Sequence, residues 1–495
     1  MHRRWGPRRR SARLQALGGG RDLISALPDD LLILVLDRLH CAAAVARTGV
    51  LSRRWRSLWV RLRQIVFRDV PYRSLEAALG RLPRPPPAVC LLDIRIPQRL
   101  PKDQRADEAS VKSLLCAAAL LEPEKFVFEI PSDSELINGS LVVNLPCFQR
   151  ATSIVLNLRY VFLRVPAGAE FAALETLSLS YCTVAIDRLL SCCPRLRKLC
   201  LAWVSFNKGD LTVKSASLQE LLLEGHGEQI ETIDIETPAL KQLIISFSTP
   251  DDISVLAPMV EMVWWNCYFR VHVMFDLWRL QQVTLMTAEG QGQLPSLHID
   301  ACARLSFFHG KMDAFTEEIE KHMIVKFSVL ELHLATNGHG FGALVFHLLG
   351  MNRIRRATRR LKIALEKAMV NEECPFDCPC EPEGWRSNTI SLTALEEVQI
   401  NGFGGDDHEL DFMKLICKCA PILKRMIVKL SDEASSSNYG CTKLYNIFKA
   451  CSSVEVYVYL SSGLMLGWQN RPSFPAMTNS VTLSYYFALL LQPII

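Results

Sequence analysis

No apolar run in these 495 residues reaches the roughly 20 that a membrane-spanning helix needs, and the amino terminus has no apolar signal segment. A soluble intracellular chain, nuclear or cytoplasmic, is therefore expected. The 17 cysteines follow no regular spacing, so they are read as reduced thiols and not as a disulfide framework. Charge of one sign is also scarce: 56 basic against 51 acidic residues leave a net +5, too little at this length to point to nucleic acid. Local signatures of chemistry are missing as well. None of the 11 histidines lies in a motif for nucleophilic catalysis. Gly338 to Gly342 has neither GxGxxG spacing nor a P-loop lysine. A reactive-cysteine signature and the ordered zinc-ligand pairs of a RING are both lacking. Neither a catalytic residue nor a cofactor is assigned, and the chain is expected not to be an enzyme.

What the sequence does have is apolar bulk. Hydrophobic residues make up 49% and charged residues 22%, which places the chain among globular and not disordered proteins. The length fits two or three units or one elongated array. Residues 1–21 carry seven arginines and no acid and are read as a disordered basic tail, with a nuclear-import patch or a transit peptide as alternatives.

The segment 22–62 organises the rest. Leu27-Pro28-Asp29-Asp30 starts a helix, because proline suits an early helical position and the acids suit the positive end of its dipole. Leu31, Leu32, Val35, Leu36 and Leu39 follow at helical spacing, apolar over more than half the girth, so both faces are expected to be buried. Ala42 to Ala46 predicts a second short helix. Ser52 is expected to cap a third, in which Leu51, Trp55, Leu58, Trp59 and Leu62 share one side. Three helices in about forty residues enclose too little core to stand alone. Their surplus apolar surface must meet the rest of the chain or a partner.

LPDDLLILVLDRL followed by ARTGVLSRRWRSLW resembles the plant F-box, in the version with an alanine-rich middle. The resemblance implies docking on the Skp-type adaptor of a cullin-RING ubiquitin ligase. It also implies Leu27, Pro28, Leu31, Leu32, Leu36, Leu39, Leu51, Trp55 and Trp59 as adaptor-binding residues. Between His40 and Ala44 small residues replace the charged or proline residues common in that family.

Beyond this segment a short strand is expected within Arg61 to Val70, then a proline-rich linker. Cys90 to Ile96 and Lys125 to Ile130 alternate as strands around a helix from Val111 to Leu121. An apolar-x-x-apolar-x-apolar template then recurs at Ala151/Ile154/Leu156, Leu174/Leu177/Leu179, Leu196/Leu199/Leu201, Leu218/Leu221/Leu223, Leu240/Leu243/Ile245, Val260/Val263/Trp265 and Leu280/Val283/Leu285, in steps of 23, 22, 22, 22, 20 and 20 residues. A period in the low twenties with this strand signature is that of a leucine-rich repeat, in which neighbouring strands stack to share one core. Register is lost between about 286 and 328, more in the manner of degenerate repeats than of an inserted loop. It returns at Val329/Leu332/Leu334, Leu395/Val398/Ile400, Leu423/Met426/Val428 and Cys451/Val454/Val456.

Two local clusters compete for a functional meaning. Arg353 to Arg360 holds five arginines in eight residues, but the neighbouring aromatics Phe341 and Phe346 sit among apolar residues, so a solvated face is expected there and no nucleic-acid site. Cys374, Cys378 and Cys380 are the most metal-like group; a fourth ligand would have to come from afar, with Cys417, Cys419 or His408 as candidates, and no metal is assigned. From Cys374 onward, Trp385-Arg386, Leu395-Glu396-Glu397-Val398, Gly402-Phe403, His408-Glu409-Leu410 and Ala420-Pro421 with Leu423-Lys424 resemble the FBD region that follows the repeats in many plant F-box proteins. Such a unit can cap the apolar end of an array.

The fold expected is therefore α/β: a basic tail over 1–21, a three-helix F-box over 22–68, a linker over 69–88, a curved leucine-rich-repeat solenoid with a parallel sheet over 89–370, an FBD-type unit over 371–462, and an apolar tail over 463–495. For that tail a buried strand, a non-native ending and an aggregation-prone segment all stay open. The function expected is substrate recognition for a Skp-cullin-F-box ligase, the repeats binding an unidentified target protein. The alternatives are a non-ligase intracellular repeat scaffold and an arginine-rich nucleic-acid binder resting on residues 3–13 and 353–360.

Overall fold

A computed structural model describes residues 24, 26–39, 41–82, 88–97, 108–130, 141–206, 209–225, 230–270, 273–287, 294–304, 312–367, 378, 380, 384–387, 389–435, 444 and 454–466. The expectations for the basic and apolar tails thus lie largely or wholly outside the described residues, and Cys374 does too. The chain divides into two compact units, Met1–Trp265 and Asn266–Ile495.

The first unit begins with three short helices, α1 (Asp29–Asp37), α2 (Ala42–Thr48) and α3 (Trp55–Leu58), the last continued by a 3-10 turn at Trp59–Arg61. Pro28 is extended at the N-cap of α1, and Asp29 and Asp30 occupy its first turn, as the dipole favours. The third helix differs from expectation. Its N-cap is Arg54 and not Ser52, because residues 49–54 run through turns before the helix starts.

The chain then enters a parallel sheet without a break. Strand Gln64–Arg68 pairs with Leu91–Arg95, that strand with Lys125–Glu129, and that one with Ser153–Arg164. A helix, Tyr72–Leu79, occupies part of the stretch expected to be only a linker. Its N-cap is Pro71, and Tyr72, Leu75 and Leu79 share the buried side. The repeat template is realised as cross-strand columns. Ile65, Leu92, Phe126, Ile154, Leu177, Leu199, Leu221 and Leu243 are successive partners, all buried. No strand of this kind can bury its apolar face alone, so the column is the shared core that holds the repeats together.

The return path of each repeat is not always a helix. Between residues 210 and 256 it consists of strands Asp210–Lys214, Thr232–Glu236 and Asp252–Leu256, which form their own parallel sheet. The alternating Thr232-Ile233-Asp234-Ile235-Glu236 explains this: period-two patterning with β-branched residues suits a strand and not a helix.

In the second unit the loss of register has a definite form. Strand Trp278–Met286 runs antiparallel to Ser296–Ala303. Only residues 287–295 join them, fewer than a parallel crossover needs, so the chain turns back as a hairpin. Parallel pairing then resumes through Val329–Ala335, Arg360–Glu366, Glu397–Phe403, Arg425–Leu430 and Glu455–Tyr459. Here the buried column is Leu330, Leu361, Val398, Met426 and Val456. The repeats expected at Val329/Leu332/Leu334 and Cys451/Val454/Val456 are therefore displaced by two residues. A period-two strand gives the same inward face after such a slip. Helices Met312–Lys321, Gly342–Gly350 and Asp407–Cys419 fill return paths, and Phe341, Phe346 and Phe412 pack beneath them, fully buried.

Candidate functional site

The F-box helices sort their apolar residues into two sets. Leu32, Leu36, Val45, Trp55, Leu58 and Leu62 turn inward and form a small core, with Leu36 1% and Trp55 7% exposed. Leu31, Leu34, Val35, Leu39, Val50 and Leu51 turn outward, Leu34 at 62%, Leu51 at 70% and Val50 at 85%. Only one face of α1 is buried, so the surplus seen in the sequence is a real open surface. Of the residues expected to bind an adaptor, Leu31, Leu39 and Leu51 are exposed with Pro28, Leu27 and Trp59 are half-buried, and Leu32, Leu36 and Trp55 lie inside. Leu34 and Val50, which carry the largest apolar exposure in the F-box beside Leu51, bear no mark in the sequence that sets them apart.

Charge holds this surface in shape. Arg54 lies 2.6 Å from Asp29 Oδ1 and also donates to the Leu27 carbonyl at 2.5 Å. Arg61 reaches Asp29 Oδ2 at 3.0 Å, and Arg56 donates to the Gly49 carbonyl at 3.0 Å. The hydrogen bond from Arg54, above all, holds the Asp29 carboxyl below its usual range.

A second feature lies along the strands that follow. Tyr181 and Trp203 both take left-handed backbone angles, φ 53° and 55°, directly after the paired residues Ser180 and Ala202. Their rings stack at 6.1 Å with no tilt, and the Arg159 guanidinium sits 5.4 Å from the Tyr181 centroid. Trp203 is 42% exposed. Non-glycine residues in this conformation are costly and collect where a surface is used. At the next equivalent position, Gly225, an added Cβ would lie 3.8 Å from the Trp203 backbone.

Three of the five arginines in the stretch have polar partners in their own unit, and Arg355 donates to Asn352 Oδ1 at 2.6 Å. Arg353 donates to the Met323 carbonyl at 2.5 Å, Arg360 lies 3.8 Å from Glu397, and Glu397 also faces Arg425 at 3.6 Å. Lys424 meets Glu396 at 2.6 Å. Buried thiols are held away from nucleophilic ionisation: burial pushes Cys182 and Cys193 up to about 12. Among the described residues no helix is long and apolar enough to cross a membrane.

A three-helix module feeding directly into leucine-rich repeats is the class of protein that this architecture defines. A family model of the F-box domain matches residues 24–66, and one described as "FBD-associated F-box protein At5g56370, LRR repeats" matches residues 127–305. The chain is similar to the F-box protein At3g59000 of Arabidopsis thaliana, 23% identical over 84% of this chain and 88% of the relative. It is also similar to the F-box/LRR-repeat protein At1g55660 of that plant, 28% identical over 45% of this chain and 64% of the relative. A third, F-box/LRR-repeat protein At3g03360, is 30% identical over 36% of this chain and 38% of the relative. The chain thus spans less than two thirds of the length of the latter two. It belongs to the plant F-box/leucine-rich-repeat proteins with FBD association.

Proposed function

We propose that this chain is the substrate-recognition subunit of a Skp-cullin-F-box ubiquitin ligase. The observation that carries the reading is the open apolar surface of the F-box, Leu31, Leu34, Val35, Leu39, Val50 and Leu51, raised on a core that is already closed beneath it. Exposed apolar residues at helical spacing, as on α1, are what a protein partner buries. A Skp-type adaptor fits it, and through that adaptor the chain would join cullin and RING subunits.

On this reading the chain itself does no chemistry, in keeping with the generally non-catalytic character of its family. Its contribution is proximity: a target held on the repeats has its lysines at high effective concentration near a charged conjugating enzyme. Arg159, Tyr181 and Trp203 are the residues we assign to target capture, because stacked aromatics with an adjacent cation are enriched where binding energy concentrates.

The test is co-expression of the full chain with a plant Skp-type adaptor, comparing wild type with Leu34→Asp/Leu51→Asp. Co-purification lost in the variant, with circular dichroism unchanged, supports the reading. Failure of the folded wild type to bind any adaptor would leave a repeat scaffold outside the ligase.

A further inference from the structure

His339 and Cys378 stand 39 residues apart in sequence and meet in the second unit. After strand Val329–Ala335 the chain reverses through Asn337 and Gly338, both at positive φ (47° and 82°). Asn337 pins this turn by donating to the Ala303 carbonyl at 2.8 Å, and the His339 amide donates to the Thr336 carbonyl at 2.9 Å. The chain beyond strand Arg360–Glu366 comes back over the same turn. Trp385 lies against Gly342, where any side chain would collide with the indole, and its ring centroid is 6.0 Å from that of Phe346.

Two separately fixed stretches thereby bring His339 Nδ1 to 3.2 Å from Cys378 Sγ. One donor atom each from His339, Cys378 and Cys380 lies within 4.8 Å of the others. His339 is 5% and Cys380 4% exposed, and Cys378 is half-buried. Zinc with bonds of about 2.3 Å to sulfur and about 2.0 Å to nitrogen sets tetrahedral edges near 3.5 Å for S···N and near 3.8 Å for S···S. The observed cluster has that scale. Two thiolates with one imidazole match zinc and are too soft for magnesium or calcium.

We propose that His339, Cys378 and Cys380 bind one zinc ion as a structural site, filling three of its four positions. Binding releases the thiol protons to solvent and oxidises nothing. The ion ties the turn after one strand to the segment that precedes another. Among the described residues between 367 and 396 the regular structure is a single short 3-10 turn, Trp385–Ser387, and the ion would add a tie to the packing of Trp385 that already holds this stretch. Cys417, Cys419 and His408 are not in the cluster; the histidine comes instead from a turn that no spacing rule connects to the cysteines.

The test uses the full chain purified under reducing conditions without chelator. Elemental analysis should find about one zinc per chain in the wild type and in a Cys116→Ser control at an exposed thiol. His339→Asn, Cys378→Ser and Cys380→Ser should each lose it. Because those variants can misfold, the wild type is also stripped with chelator: its melting temperature should fall and be restored by Zn²⁺ alone. Co²⁺ added to the stripped protein should give thiolate charge-transfer absorption. A folded wild type free of zinc, a melting temperature indifferent to chelator and Zn²⁺, or zinc retained in both cysteine variants would overturn the proposal.

Discussion

Arg54 locks the F-box by gripping Asp29: its guanidinium lies 2.6 Å from the carboxylate while also donating to the carbonyl of Leu27, two residues earlier. The contact joins the start of α1 to the start of α3, so it fixes the angle at which the exposed leucines are presented. Arg54→Ala should lower the temperature at which the F-box melts, and adaptor binding should weaken with it. Asp29 has a depressed pKa in the folded state, so its share of this stability is present at neutral pH and is lost as pH falls through that lowered value. Local melting, followed by hydrogen exchange of the α1 amides, is the readout; unchanged exchange in Arg54→Ala would discard the idea of a lock.

Inward and outward leucines of the F-box should separate cleanly. Leu36→Ala removes a buried side chain and should cost about 2–5 kcal/mol of stability, abolishing adaptor binding through loss of the fold. Leu34→Ser should change stability by no more than about 0.5 kcal/mol yet weaken adaptor binding by roughly tenfold or more, as truncation at a binding centre does. Paired denaturation and binding titrations distinguish the two.

Gly342 offers a sharp packing test. A methyl group there meets the Trp385 ring, which has no flexible end to swing aside. Gly342→Ala should destabilise the second unit by about 1–3 kcal/mol through overpacking. Tryptophan emission shifted toward that of exposed indole would accompany it; an unaltered melting curve would show that the ring has another place to go.

Acid should loosen the second unit. Burial lowers the pKa of His298, His322 and His347 from an unfolded value near 6.5. A group with a depressed folded pKa binds more protons when unfolded, so each histidine contributes stability above about pH 6.5 that fades as pH drops below it. His347 stacks on Phe275 at 4.3 Å and bonds Thr316 at 3.0 Å. His347→Phe keeps a ring in place without a titrating proton, and its melting temperature should decline less than that of wild type between about pH 7 and pH 5. Equal slopes would exclude His347 from the effect.

Glu409 works in the opposite sense. Burial, with Asp406 beside it, raises its carboxyl to about 7 against the pull of Lys367 and of the Asp406 and Gly405 amides; the Gly404, Gly405 and Asp406 amides donate to it at 2.9, 2.6 and 3.1 Å. A raised folded pKa means stability that is full below about pH 4.3 and is lost as pH rises through 7. The advantage of wild type over Glu409→Gln should therefore shrink from about pH 5 to pH 8, as measured by urea titration at each pH. It should not vanish, because a glutamine oxygen replaces the carboxylate of the capping box only in part.

The sequence reveals the repeats because leucines on a strand must face inward, and their spacing survives translation into structure: Leu177, Leu199, Leu221 and Leu243 are partners in space at the period read from the chain. It misplaces the strands at 329 and 455 by two residues for the same reason, since alternate residues look alike to a periodicity argument. Thr358, buried three residues before Leu361, is polar where the template wants an apolar residue, so strand Arg360–Glu366 drops out of the repeat count. The F-box was legible as a motif, but which leucines face out depends on the angle between α1 and α3, set by Arg54 and Asp29 far apart in sequence. The meeting of His339 with Cys378 is likewise a property of the fold and of no local pattern.

Strand Gln64–Arg68 begins almost where the F-box ends, and Leu62, next to it, is buried in the helical core while Ile65 opens the column of the sheet. No swivel separates the two. Whatever rests on the leucines of α1 and whatever rests on Trp203 are thus held at a set distance and bearing, like two jaws of one gauge. On the proposed reading, which lysine of a captured protein would come within reach is a matter of the pose in which it sits, and a target gripped the wrong way round would be held and left unmarked.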